Sequence, residues 1–129
     1  PKAEIKDTSQ QGGCGDLMIM DASTNIMIEV KNYDSGNVKT SEVTKFKKDM
    51  KNNDVTGGIF VSLKKGICNI DDWTISTIDG KPVVYLCNVS ADMEKMITAF
   101  KIIIGLVFFL PIYGILLNFI SKRLSQEDL

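Results

Sequence analysis

GGIFVSL (57–63) and PVVYLCNV (82–89) are continuous apolar runs closed off by turn residues, a pattern that belongs to central strands covered on both faces. A sheet buried on both sides needs layers above and below it, and in a mixed sheet helices supply that cover. The rest of the chain supplies the partners. DLMIMD and IMIEVKNY are two further β-prone runs joined by ASTN, the signature of a hairpin, and AEIKDTS alternates polar and apolar residues as a short strand would. From Ser41 to Asn52 the period becomes helical, with Val43, Phe46 and Met50 on one side, Thr40 as N-cap and Glu42 in the first turn. NIDDWTISTIDGK reads as irregular or as one edge strand, with Asp79 and Gly80 as its turn.

Strand pair, helix, strand, strand, helix predicts an α/β domain, a mixed central sheet flanked by helices. At 129 residues the chain is one domain's worth. We divide it into an α/β core over 1–98 and a strongly apolar helical segment over 99–124. Ser90 is the expected N-cap of that last segment. Ile102–Ile120 holds nineteen residues with Asn118 as the polar exception, followed by Lys122 and Arg123, which meets the length of a membrane span. The competing reading is a pair of buried helices broken at Pro111 and packed on the sheet or on a second subunit. Lys101, Pro111 and the sheet's need for cover favour the helix pair.

Composition narrows the chemistry. No histidine occurs, so Ser-His-Asp and Cys-His triads, histidine general bases and histidine-bound zinc are excluded within this chain. Cys14, Cys68 and Cys87 are odd in number and widely spaced, which argues against a disulfide framework and for an intracellular, reducing setting. The Asn88 sequon NVS has no other sign of secretion beside it. PKAEIKD at the start lacks the apolar segment of a signal peptide and lacks an initiator Met, as a piece of a longer protein would. The net charge is −1, yet Lys31 to Lys65 carries eight lysines against Asp34, Glu42, Asp49 and Asp54, a local +4 that leaves −5 elsewhere. A basic middle of this kind suits a phosphate surface or an ordinary solvated helix.

Charged residues in strands of core composition call for a reason, because Asp, Glu and Lys are rarely buried unless paired or metal-bound. A hairpin centred on Ser23 and Thr24 sets Asp16 opposite Lys31, with Glu29 as its diagonal neighbour on the same face. Two adjacent carboxylates repel unless a cation lies between them, and hard oxygen ligands suit Mg²⁺ or Mn²⁺, with the backbone carbonyl of Val30 as a further donor. A neighbouring lysine would stabilise charge on a phosphate under attack. The alternative is a cross-strand ion pair at two strand ends, worth a few tenths of a kcal/mol.

GD, a short apolar strand, a turn and IEVKNY together resemble the core motif of the PD-(D/E)xK nuclease superfamily, with its restriction endonuclease-like fold. The resemblance runs from about Ser9 to Val89. It implies that Asp16 and Glu29 bind the divalent metal and that Lys31 is the catalytic lysine. It likens the helix SEVTKFKKDM to the family's second helix, which makes Lys45 and Lys48 candidates for DNA phosphate contacts, or else a solvated face. Two features depart from the family. No helix with a further acid precedes the first strand, although Glu4 or Asp7 could substitute, and the apolar C-terminal segment is no part of the family core.

The function expected is therefore a Mg²⁺- or Mn²⁺-dependent deoxyribonuclease hydrolysing phosphodiester bonds of DNA, in the cytoplasm or nucleoid or nucleus. A homodimer and membrane association through 102–120 are compatible with it. The alternative is a non-catalytic nucleic-acid-binding or scaffold domain tethered by its apolar end.

Overall fold

The computed structural model describes residues 4–20 and 23–127. Its elements are β1 (Glu4–Asp7), β2 (Leu17–Met20), β3 (Asn25–Lys31), α1 (Thr40–Asn52), β4 (Gly57–Ser62), β5 (Thr74–Ile78), β6 (Lys81–Leu86), a 3₁₀ turn (Val89–Ala91) and α2 (Glu94–Glu127). The strands form one sheet in the order β1-β2-β3-β4-β6-β5. β3, β4 and β6 run parallel, and β1, β2 and β5 add antiparallel edges. This is the mixed α/β sheet flanked by helices, consistent with a restriction endonuclease-like fold.

Side-chain alternation sorts the sheet into two cores. Met27, Phe60, Val83 and Tyr85 face α1 and meet its Val43, Phe46 and Met50, while Ile26, Ile28, Ile59, Val61, Val84 and Leu86 face α2 and meet Ala99 and Ile103. The ring of Phe46 stands edge-on to Phe60 at 5.3 Å and 70°. α1 can approach this closely because β4 offers Gly58 beneath it: a Cβ there would lie 2.6 Å from Met50 Sδ and 2.8 Å from Phe46 Cζ. Asp79 and Gly80 turn the β5–β6 hairpin with φ of 50° and 77°, the two left-handed residues of a tight turn.

Local details differ from the expectations. The hairpin register is Leu17 with Ile28 and Met20 with Asn25, so each β2 residue pairs two residues earlier on β3 than a turn centred on Ser23 and Thr24 would give. Tertiary bonds fix it: Asn25 donates its amide to Thr56 Oγ1 and its side-chain amide to Asp54 O, so Asn25 opens β3 instead of closing a turn. The remainder of that connection, Asp21 and Ala22, lies outside the described residues, as do Pro1–Ala3. Lys39, not Thr40, is the N-cap of α1, and Thr40 is already helical. Ser90 caps nothing, since its hydroxyl and amide both donate to Leu63 O.

The expected break at Pro111 is absent, and one helix of 34 residues runs through it. A proline in a helix interior forfeits one backbone bond, about 3 kcal/mol, and the long runs of Leu, Ile and Phe on either side keep the segment helical despite that cost. The 98/99 division falls within this helix. Its first turns pack on the sheet through Ala99 and Ile103, whereas Ile112, Ile115, Leu116, Leu117, Phe119, Ile120 and Leu124 are exposed. Beyond its start, α2 is thus not the packed pair of helices. Residues 102–120 belong to it, and among the described residues no helix is long and apolar enough to cross a membrane.

The start of α2 is locked to the sheet by Asp72. Its Oδ1 accepts the amides of Trp73 and Cys87, both at 2.9 Å, and its Oδ2 pairs with Lys95, whose Nζ also donates to Cys87 O at 2.7 Å. Partial burial alone would raise the Asp72 carboxyl, but the Lys95 ammonium and the two amides outweigh it and hold it below the usual aspartate range. A depressed carboxyl adds stability above its unfolded value and loses it as pH falls through the folded one. Asp72→Asn is therefore expected to cost ~1 kcal/mol in urea melts at neutral pH, a low figure because the side chain is partly solvated. That difference shrinks as the melts are repeated at pH below the aspartate range.

Candidate active site at the fork of β2 and β3

β2 and β3 separate just before Leu17, and Asp16 fills the fork. Its backbone amide donates to Ile28 O at 2.9 Å and its Oδ2 accepts the Val30 amide at 2.8 Å, so backbone and carboxylate together tie Asp16 to the residues on either side of Glu29. The shifted register thus sets Asp16 beside Glu29, where Lys31 was expected. The N–H and C=O of one strand residue point the same way, so the Val30 carbonyl also faces the Asp16 side of β3, while the Lys31 carbonyl accepts from Leu63 on the β4 side at 2.9 Å.

The segment carrying Asp16 is tightly held. Buried Thr8 donates its hydroxyl toward Cys14 O and Gly15 O, at 3.2 and 3.0 Å, and its amide to Asp16 O at 3.0 Å. From the other side, Asn53 at the end of α1 donates to Gly13 O at 2.6 Å. Gly15 has φ +71°, and a Cβ there would sit 2.8 Å from Met27 Cγ, 3.1 Å from Ile28 O and 3.5 Å from Glu29 Oε2. Only glycine combines this φ with so close a pass over Met27 and the Ile28 carbonyl.

Glu29 is 9% exposed. Burial pushes its carboxyl above the usual range, the Lys31 bond lowers it in part, and the nearby Asp16 charge raises it again. Lys31 Nζ lies 3.1 Å from Glu29 Oε1 and 2.7 Å from Glu42 Oε2. Burial alone would lower the lysine, but its bonds to Glu42 and Glu29 overcome that and keep it a firmly charged ammonium. The same bond holds Glu42 below the usual range.

Lys45, one turn on from Glu42, is exposed, and its charge lowers both Glu29 and Glu42. Lys48 is exposed a further turn along α1. Asp7 does not join the site, since its Oδ1 accepts from the amide and hydroxyl of Ser9 at 2.9 and 2.6 Å, and Glu4 is exposed in β1 opposite Met20. Gly15 belongs to the GD of the motif, whereas Glu42, Thr8 and Asn53 were not foreseen as parts of this arrangement. Glu42 carried a signal only for helix initiation, because an eleven-residue separation from Lys31 says nothing until the path of the loop is known.

Residues 2–66, half of the chain, match the restriction endonuclease family Mrr_cat. The chain belongs to this family. The match spans β1 to β4 and so contains the fork, α1 and every residue placed at the site. A restriction endonuclease is a nuclease, so the family assignment points to a nuclease. A stretch of 29 residues is also 57% identical to the queuosine precursor transporter of Escherichia coli (strain K12); it amounts to 22% of this chain and spans only 13% of that protein. No solved structure matches the chain.

As a donor set the fork is chemically suited to a hard cation. Asp16 and Glu29 contribute carboxylate oxygens and Val30 a carbonyl, and the upward push on Glu29 is the strain expected of a buried acid beside another. Among the described residues no group of three acidic or cysteine side chains is gathered for a metal, so backbone, water or substrate oxygens would complete any coordination.

Proposed function

We propose that this restriction endonuclease family member is a divalent-metal-dependent deoxyribonuclease. The observation that carries the reading is the placement of Asp16 beside a buried Glu29, with the Lys31 ammonium 3.1 Å from Glu29 on the same face of β3. Asp16, Glu29 and the Val30 carbonyl would hold Mg²⁺ or Mn²⁺, which when bound supplies Lewis-acid polarisation of a phosphate oxygen and a more acidic water. Lys31 keeps its proton and presents a positive charge where negative charge builds on the phosphate. The walls of the fork, Thr8, Gly15 and Asn53, fix the Asp16 segment so that the carboxylate is in place before substrate arrives. Lys45 and Lys48, exposed on α1, would contact phosphates of the DNA backbone.

The exposed apolar side chains of α2 support pairing of two copies of the chain, an arrangement that allows both strands of a duplex to be cut. The test of function is cleavage of a fluorescent duplex and of a four-way junction in Mg²⁺, in Mn²⁺ and in EDTA. Cutting that requires the metal supports the reading. Salt-sensitive binding without cutting under any metal favours the non-catalytic nucleic-acid-binding domain instead.

A further inference from the structure

Lys31 does not stand against Glu29 alone. Its Nζ is shared between Glu29 Oε1 at 3.1 Å on β3 and Glu42 Oε2 at 2.7 Å on α1, and the shorter bond is the one to the helix. The two carboxylates differ in surroundings: the Glu29 side chain is 11% exposed, whereas that of Glu42 is 31% exposed at the open end of α1. Glu42 lies in the first helical turn, and its backbone amide is bonded to Lys39 O at 3.0 Å, so its Cα is fixed by the helix itself. The helix in turn is anchored on the sheet by Val43, the next residue. A lysine has four rotatable bonds and no preferred direction of its own, so a second carboxylate on a rigid element decides where its charge rests.

We propose that Glu42 is a positioning residue for Lys31, holding the ammonium above Glu29 from the α1 side without ligating the metal. This rests on the nuclease reading given above. With Glu42 removed, Lys31 has Glu29 as its remaining anchor and settles onto the carboxylate that the metal needs. Glu42 therefore keeps the lysine available to the phosphate and keeps part of Glu29 free. Because the ammonium is used mainly in the transition state, loss of its anchor lowers kcat and leaves KM nearly unchanged.

The test compares the parent protein with Glu42→Gln and Glu42→Asp in three measurements. In the metal-free protein, the side-chain ¹H–¹⁵N signal of the Lys31 ammonium, shielded from exchange by two carboxylates, is expected in the parent, absent in Glu42→Gln and retained in Glu42→Asp. An unchanged signal in Glu42→Gln shows that Glu29 alone holds the lysine and overturns the proposal. In Mn²⁺ titrations followed by electron paramagnetic resonance, Glu42→Gln is expected to bind as the parent does; loss of binding makes Glu42 a metal ligand and also overturns it. In cleavage assays, Glu42→Gln is expected to lose on the order of tenfold to a hundredfold in kcat, with partial rescue in Glu42→Asp. A parent that cuts DNA no faster than Glu42→Gln removes the positioning role alone. A parent that cuts no DNA at all removes the nuclease reading, and with it any catalytic use of the contact.

Discussion

Glu29→Gln is expected to abolish DNA cleavage and, at the same time, to make the fold more stable at neutral pH. The two effects have one cause. Glu29 is nearly buried and faces Asp16, so its charged form is disfavoured in the folded chain despite the Lys31 bond, which is what its raised carboxyl expresses. For an acid raised on folding, the folded state binds the extra proton, so the penalty is full above the folded value and vanishes below the unfolded one. Glutamine keeps the shape and removes the charge, while Lys31 retains Glu42 as its partner. Urea melts should therefore place the midpoint of Glu29→Gln above that of the parent at pH 7.5, with the gap closing as pH falls below the ordinary glutamate range. Cleavage should fall by at least about a hundredfold, the scale of losing a group that stabilises charge in the transition state. A variant that is both less stable and fully active would show that Glu29 serves only its ion pair.

The largest effect on stability is expected from Phe60→Ala. Phe60 is fully buried in β4, an interior strand of the sheet, and its ring meets Phe46 at 5.3 Å and Tyr85 at 6.0 Å. Those two partners belong to α1 and β6, so the ring joins the helix that carries Glu42 and Lys45 to the middle of the sheet. Truncation removes the transfer free energy of the ring and leaves a cavity between rigid neighbours, a loss of about 3–5 kcal/mol. Against a typical total of roughly 5–15 kcal/mol this leaves a marginal fold. Chemical denaturation at 25 °C reads the loss directly, and a change under ~1 kcal/mol would mean that α1 is not held through this ring.

What the sequence made legible was whatever depends on local pattern. GGIFVSL and PVVYLCNV are buried β4 and β6, and Val43, Phe46 and Met50 are the buried side of α1, because strand length and helical period are properties of a few consecutive residues. The β5–β6 turn at Asp79 and Gly80 was legible for the same reason. The β2–β3 register was not, since it is set by Thr56 and Asp54 bonding to Asn25 from more than twenty residues away. A shift of two residues preserves which face each side chain occupies, so Glu29 and Lys31 still share a face although their partner across the hairpin changed. The pairing of Glu42 with Lys31 was not legible, because the two residues lie on different elements. Pro111 does not break its helix, because the cost of one lost backbone bond is spread over a helix of 34 residues.

The central claim is that Asp16 and Glu29 together form a cation site. The measurement that tests it most directly is a Mn²⁺ binding isotherm, followed by electron paramagnetic resonance, for the parent, Asp16→Asn and Glu29→Gln at a pH where Glu29 is ionised. One saturable site is expected in the parent and its loss in both variants, with all three proteins folded. Binding that is equal in all three would contradict it, and would leave the three charges of the fork as a structural ion-pair cluster.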